Sequence, residues 1–196
     1  MPNVKENVRQ SETAVTPLIL GRWSPRALSG EKLTDEEILS LFEAAKWAPS
    51  CYNNQPWRFI YVKNGTPVWD KLFSTLAPGN KLWVKNAAVI VLALSRNNFE
   101  YNEQPNPTAS FDCGAAWENL ALEATTRGLI AHAMSGFDYD VARINFNIPE
   151  SYKLEVVIAL GRPGKKEDLP EDLRAIEFPS DRKKVNEIIS EGEFKF

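Results

Sequence analysis

The chain has 196 residues, a formal net charge of -3, 43% hydrophobic and 25% charged residues. This suits one globular domain with a substantial core and argues against a dedicated nucleic-acid binder, since the basic pairs Lys165-Lys166 and Lys183-Lys184 sit beside acids. The longest apolar run, Ala87 to Leu94, is too short to span a membrane, the N-terminus shows no apolar signal segment, and a cytoplasmic location is expected.

Residues 1–14 are polar and read as a flexible tail or as a segment draped over a neighbour. Arg22-Trp23-Ser24-Pro25-Arg26 then sets two fixed cations and a hydroxyl where they could hold a phosphate. Thr34-Asp35-Glu36-Glu37 is a capping box, and Ile38, Leu41, Phe42 and Ala45 share one face of the helix it opens. Pro49 stops that helix by biasing Ala48 out of helical geometry. A polar loop follows, in which Ser50, Cys51, Asn53, Asn54 and Gln55 lie between Pro49 and Pro56. Amide side chains offer donors and acceptors, which suit the edge of a planar heterocycle. Taken alone, the loop reads first as an ordinary polar turn, and the upstream cluster is what turns the reading toward a ligand.

Arg58 to Val62 is a strand ended by Asn64-Gly65, and Pro67 opens a helix that runs to about Leu76 and breaks at Pro78-Gly79. Ala88 to Leu94 is apolar throughout, as in a strand buried on both faces. Residues 97–107 read as a lid or as a disordered surface loop. The longest helix spans Thr108 to Arg127 and ends at Gly128. Phe111, Ala115, Trp117, Leu120 and Leu122 spread around most of its circumference, so it belongs in a monomer core or in a subunit interface. Leu129 to Ala133 and Leu154 to Leu160 are two further strands. Between them Asp138 or Asp140 caps a short helix ending before Pro149. Residues 161–196 form an extended arm, rich in Pro, Gly and charge to Pro179 and closing with a helix from Arg182 to Ser190. The alternation describes a single α+β domain.

Cys51 and Cys113 lack metal-ligand spacing and read as free thiols rather than as a lone disulfide. His132 is the only histidine, which leaves no zinc site to build, and within Leu129 to Met134 it reads as a structural residue rather than a hydrolase base.

The Arg-x-Ser-x-Arg cluster at Arg22, Ser24 and Arg26, followed one helix later by Ala48-Pro49-Ser50-x-x-Asn53-x-Gln55-Pro56-Trp57, resembles the nitroreductase family of FMN-dependent flavoproteins. The resemblance continues through Gly128-Leu129, Ser135-Gly136-Phe137 and Gly161-Arg162-Pro163 to Arg182, covering Thr16 to Ile189. It implies a central, mainly antiparallel sheet of four to five strands flanked by helices, in an intertwined homodimer with FMN at the interface. It implies that Arg22 and Arg182 hold the phosphate or ribityl chain, with Ser24 adding a hydroxyl and Trp23 beside them. Arg26 falls at the pyrimidine end of the ring, where positive charge favours the reduced, anionic flavin. Asn53 bonds the ring edge, with Pro49, Ser50, Cys51 and Gln55 along it, and the backbone of Met134, Ser135 and Gly136 lies near N5 and O4. Arg162 completes the set. Taken singly, Arg22 and Arg26 would be surface ion-pair residues, and Trp57 and Phe137 core.

No catalytic side chain and no metal is demanded. The implied chemistry is ping-pong hydride transfer from NAD(P)H through FMN to an electron-poor acceptor such as a nitroaromatic or quinone. Ser135 stands where some members carry an acid, Cys51 where a smaller or hydroxyl residue is usual, and no Rossmann glycine fingerprint is present. A dehalogenase or flavin-cleaving enzyme on the same fold, and a non-catalytic FMN-binding module, are the alternative readings.

Overall fold

The computed structural model describes residues 9–196. Its centre is a four-stranded sheet of Trp57–Lys63 (β1), Val89–Arg96 (β2), Ile130–Met134 (β3) and Tyr152–Gly161 (β4), in the order β1-β2-β4-β3. All three pairings are antiparallel, with Trp57 opposite Ser95, Val89 opposite Leu160 and Ile130 opposite Gly161. The apolar run becomes β2, an interior strand buried from Val89 to Ser95. Strand side chains alternate between faces, so Ile90, Leu92 and Leu94 enter one core while Val89, Val91 and Ala93 enter the other. Two-sided burial here comes from helices on both faces of an antiparallel sheet, not from a parallel one. A bulge between Ala93 and Leu94 shifts the register against β4.

Asp35–Ala45 (α2) and Ala109–Thr126 (α5) cover one face. The capping box forms as the sequence specifies: Thr34 Oγ1 accepts from the Glu37 N–H at 3.1 Å, and Glu37 Oε2 accepts from the Thr34 N–H at 2.8 Å. On α5 the buried residues are Ala109, Asp112, Cys113, Ala116, Leu120, Ala121 and Ala124. Phe111 stays 80% exposed and Trp117 only half-buried, so one chain does not cover this helix on all sides.

Trp69–Phe73 (α3), Pro78–Val84 (α4) and Tyr139–Asn145 (α6) lie on the other face. The helix expected from Pro67 to Leu76 is the shorter α3. Pro78-Gly79, expected as a breaker, instead opens α4: proline at a first helical position forfeits only an N–H that has no partner anyway. Of the two candidate caps for α6, Asp138 serves, its Oδ1 accepting from the Val141 N–H at 2.9 Å. Pro17–Gly21 (α1) is a short helix that periodicity did not signal. The helix expected from Arg182 to Ser190 is only a 3₁₀ turn at Val185–Glu187. A short helix needs a packed apolar face, and Ile188 and Ile189 are 59% and 61% exposed.

After β4 the arm turns back over the segment that follows α1. Leu28 bridges Pro163, and the Gly164 N–H donates to the Ala27 carbonyl at 2.7 Å. A Cβ on Gly164 would sit 2.6 Å from the Leu28 carbonyl carbon, so only glycine permits this approach. The arm then forms a 3₁₀ turn, Lys166–Asp168, and Glu171–Ala175 (α7). Of the tail expected over residues 1–14, the first eight lie outside the described residues. Arg9 donates from Nε to the Ser180 carbonyl at 2.9 Å, and Glu12 accepts from the Val185 N–H at 2.8 Å. Among the described residues no helix is long and apolar enough to cross a membrane.

Candidate functional site

Segments distant in sequence build a pocket of about 380 Å³, lined by Arg9, the cluster Arg22, Trp23, Ser24 and Arg26, His132 of β3, and Ile176, Phe178, Ser180 and Arg182 of the arm. That volume falls within the roughly 300–1,000 Å³ of small-molecule sites. Four arginines line it, and among the described residues lining it there is no carboxylate. Arg22 Nη1 donates to Ser24 Oγ at 3.3 Å, and Arg22 Nε lies 3.3 Å from the half-exposed Glu118. Arg182 Nη1 spends its hydrogen bonds on Ser180 and the Asp181 carbonyl, which holds it in the arm. Arg9 Nη1 donates to the carbonyls of Leu20 and Arg22, at 3.2 and 2.7 Å, and so stitches the cluster to the arm. Burial first, then the charges of Arg182 and Arg22, push the Arg9 guanidinium below its ordinary value, with Asp181 countering. Such a field favours an anion.

Glu177 lies behind the cluster, 5% exposed. Its Oε1 accepts from the N–H groups of Arg26 and Ala27, at 2.6 and 2.9 Å. Its Oε2 lies 3.6 Å from the Arg26 guanidinium and has no hydrogen-bond partner among the described residues. His132 packs against Trp83 with ring centroids 4.6 Å apart, and its Nδ1 is 3.0 Å from the Pro25 carbonyl. Burial is the main cause holding its imidazole below the usual 6.5, so it is neutral at pH 7. It is a structural residue, as the sequence suggested, and it also forms part of the pocket wall.

The amide loop opens elsewhere. Its Tyr52, Asn53, Asn54 and Gln55 line a second cavity of about 320 Å³ with Arg58, Glu100 and Tyr101. Tyr52, Asn53 and Gln55 hold φ values of 50°, 53° and 47°, a left-handed backbone that non-glycine residues adopt at a cost. Side chains fix it there: buried Asp112 accepts from the Cys51 N–H at 3.1 Å, Ser50 Oγ from the Gln55 N–H at 3.0 Å, and Asn54 Oδ1 from the Glu100 N–H at 2.9 Å. Asn54 Nδ2 is buried with no partner among the described residues. Residues 97–107 are an ordered loop rather than a disordered one, closed by the Asn98–Pro105 bridge and by the Phe99 N–H to the Gln104 carbonyl at 2.8 Å. It walls the second cavity.

Met134 is buried at the end of β3, and Ser135 is exposed. The Gly136 carbonyl accepts from the Ala77 N–H at 2.9 Å and Asn80 Nδ2 at 3.0 Å. A Cβ on Gly136 would lie 2.8 Å from Asn80 Nδ2, and that side-chain end would have to shift to admit it. Pro49 is exposed beside Ser50 and Cys51. Arg162 stands apart from the pocket: its Nη2 donates to Glu37 Oε1 at 2.6 Å, tying the arm to the N-terminus of α2. In one chain, therefore, Arg22, Trp23, Ser24, Arg26 and Arg182 come together, while Asn53 and Gln55 face a separate cavity. Sequence reasoning missed Arg9 and Glu177, which have no local motif to betray them. Cys113 is buried with its thiol pushed up to about 12, chiefly by desolvation, and is inert. Among the described residues no cluster of side chains could hold a metal.

The family model described as "Nitroreductase family" matches residues 19–162. A protein of Archaeoglobus fulgidus, named as a candidate NADH dehydrogenase or NAD(P)H nitroreductase, is 30% identical over 158 residues, covering 79% of this chain and 88% of its own. A solved structure described as an oxidoreductase containing FMN is 41% identical with a TM-score of 0.93, over 97% of this chain and 98% of that one. A candidate nitroreductase of Desulfovibrio desulfuricans, solved in complex with FMN, is 26% identical with a TM-score of 0.72, over 93% and 100% of the two chains.

Proposed function

Because the chain belongs to the nitroreductase family, we propose that it is an FMN-dependent oxidoreductase that moves a hydride from NAD(P)H to an electron-poor acceptor, a nitroaromatic or a quinone. The observation that carries this reading is the pocket of Arg9, Arg22, Arg26 and Arg182, roomy, cationic and free of lining carboxylates among the described residues. It fits a ligand that joins a phosphate to a planar ring. Arg22, Arg182 and the Ser24 hydroxyl hold the phosphate, and each charge-assisted bond contributes about 1.5–3 kcal/mol. Arg26 faces the ring, and Trp23 and His132 close the wall. Bound there, FMN supplies the hydride chemistry, and the protein supplies binding, orientation and electrostatics.

Asn53 and Gln55, with Pro49, Ser50 and Cys51, serve the ring of a second copy's FMN. This homodimer accounts for two otherwise separate observations. The two motif clusters open into different cavities within one chain, and α5 leaves Phe111 80% exposed. Met134, Ser135 and Gly136 lie at the end of β3, on the strand that brings His132 to the pocket.

The test is direct. Purified protein is expected to show oxidised-flavin absorption, to bleach rapidly when mixed with NADPH or NADH, and to recover its colour on addition of a nitroaromatic or a quinone. Colourless protein that takes up no added FMN ends the reading. Bound flavin that neither nicotinamide reduces leaves a binding module. Ultracentrifugation of the holoprotein at micromolar concentration is expected to report a dimer.

A further inference from the structure

The pocket arginines are not alike in what stands behind them. Arg22 meets Glu118, whose side chain is 47% exposed, and Arg182 is bonded to its own loop. Arg26 meets a buried carboxylate, Glu177, whose side chain is 3% exposed. Charges that water does not screen act on each other more strongly than surface pairs do. The carboxylate is bound through one oxygen to two backbone N–H groups, of Arg26 itself and of Ala27, and presents the other to the Arg26 guanidinium. That second oxygen is buried with no hydrogen-bond partner among the described residues, so hydrogen bonding does not neutralise its charge.

We propose that Glu177 is the positioning residue for Arg26: it fixes the backbone that carries the guanidinium and lays an opposing charge beside it, and so sets the preference of the site for oxidised over reduced FMN. This rests on the FMN reading above. A bare guanidinium at the ring favours the reduced, anionic flavin. A guanidinium backed by a buried carboxylate favours it less, and one held against that carboxylate is also less free to turn onto the ring. Glu177 touches no substrate in this arrangement, because it lies behind the pocket wall and acts through Arg26. The same two charges act in opposite senses on the sole histidine: beneath the larger effect of burial, the Arg26 charge lowers the His132 pKa and the Glu177 charge raises it.

Glu177→Gln separates the two tasks. The amide keeps a carbonyl oxygen for the two N–H groups and removes the negative charge. The holoprotein is titrated with a redox dye, and the potential is read from the flavin spectrum. The expected result is a roughly tenfold rise in affinity for reduced relative to oxidised FMN, which for a two-electron couple is a rise of about 30 mV. In an Arg26→Ala background the same substitution is expected to shift that ratio by less than about threefold, since the residue it acts through is gone. In the FMN-free protein, proton NMR titration of the single imidazole is expected to show a lower His132 pKa in Glu177→Gln. If the Gln variant does not fold, Glu177→Asp, which keeps the charge but shortens its reach, is expected to give a smaller rise in potential. A potential unchanged in whichever variant folds, with FMN still bound, overturns the proposal, as does an equal shift with and without Arg26. Wild-type protein that binds no FMN fails the functional reading instead, and the imidazole titration still tests the Glu177 charge at this site, an unchanged His132 pKa in Glu177→Gln overturning the proposal.

Discussion

The arginine pocket and the amide loop are both polar and both anchored by a buried acid, yet they are built in opposite ways. The pocket gathers Arg9, the cluster from Arg22 to Arg26, His132 and the arm from Ile176 to Arg182, and its backbone is held by Glu177. The loop is one contiguous stretch whose shape lies in its own left-handed residues Tyr52, Asn53 and Gln55, with Asp112 as an outside clamp on Cys51. A site assembled from afar depends on tertiary anchors, here Glu177 and Arg9. A site folded from adjacent residues carries its geometry in the local backbone and loses less when a clamp is cut.

That contrast sets the order of expected effects. Glu177→Ala strips the acceptor from two N–H groups, one buried and one partly so. Leaving such a group unsatisfied costs about 1–3 kcal/mol. The urea midpoint is expected to fall furthest in this variant, and FMN retention with it. A neutral result would break the comparison, because the pocket would then not depend on its anchor. Arg22→Ala should leave the fold intact but weaken FMN in both redox states by about 1.5–3 kcal/mol, roughly ten- to a hundredfold in Kd by fluorescence titration.

Asp112→Ala removes the acceptor of a single loop N–H, with one threonine contact, from Thr108 Oγ1 at 3.2 Å. Its expected cost is about 1–2 kcal/mol in chemical denaturation, smaller than that of Glu177→Ala. A larger loss would mean that the loop, too, is held from outside. The smallest effect concerns pH. The folded His132 has a pKa below its ordinary 6.5, so the unfolded chain takes up a proton that the native protein refuses. Stability from this residue is therefore complete above about pH 6.5 and declines as pH falls toward the lowered native value. His132→Gln should flatten the decline in urea midpoint between neutral and mildly acidic buffer, and an unaltered slope would place the sensitivity elsewhere.

What the sequence disclosed follows the same division. The capping box at Thr34 and Glu37, the apolar strand from Ala88 to Leu94, and both motifs were legible because each is a pattern among near neighbours. Glu177 was invisible, since nothing around it in the arm announces a carboxylate that reaches back to Arg26 and Ala27. Arg9 was hidden in a tail that looked merely polar. Pro78-Gly79 misled because the same two residues break a helix from within and start one from its first turn. The helix expected after Arg182 failed for want of an apolar surface to rest on in one chain. Arg162 was assigned to the ligand by its place in a motif, while Glu37, capping a helix far earlier in sequence, holds its guanidinium.

The stitch between the two ends of the chain bears on the order in which the molecule folds. Arg9 and Ser180 are 171 residues apart in sequence, Glu12 and Val185 are 173 apart, and Glu177 reaches Arg26 across 151. The amide loop closes its own bonds over separations of 5 and 2 residues. Loop-closure entropy rises with the length enclosed, and contacts between near neighbours form fastest. The amide loop's own bonds are therefore expected to form early, and the arginine pocket to close late, when the arm returns across the sheet. An anion that binds the pocket then acts on the last step of folding, as a latch that holds both ends of the chain in place.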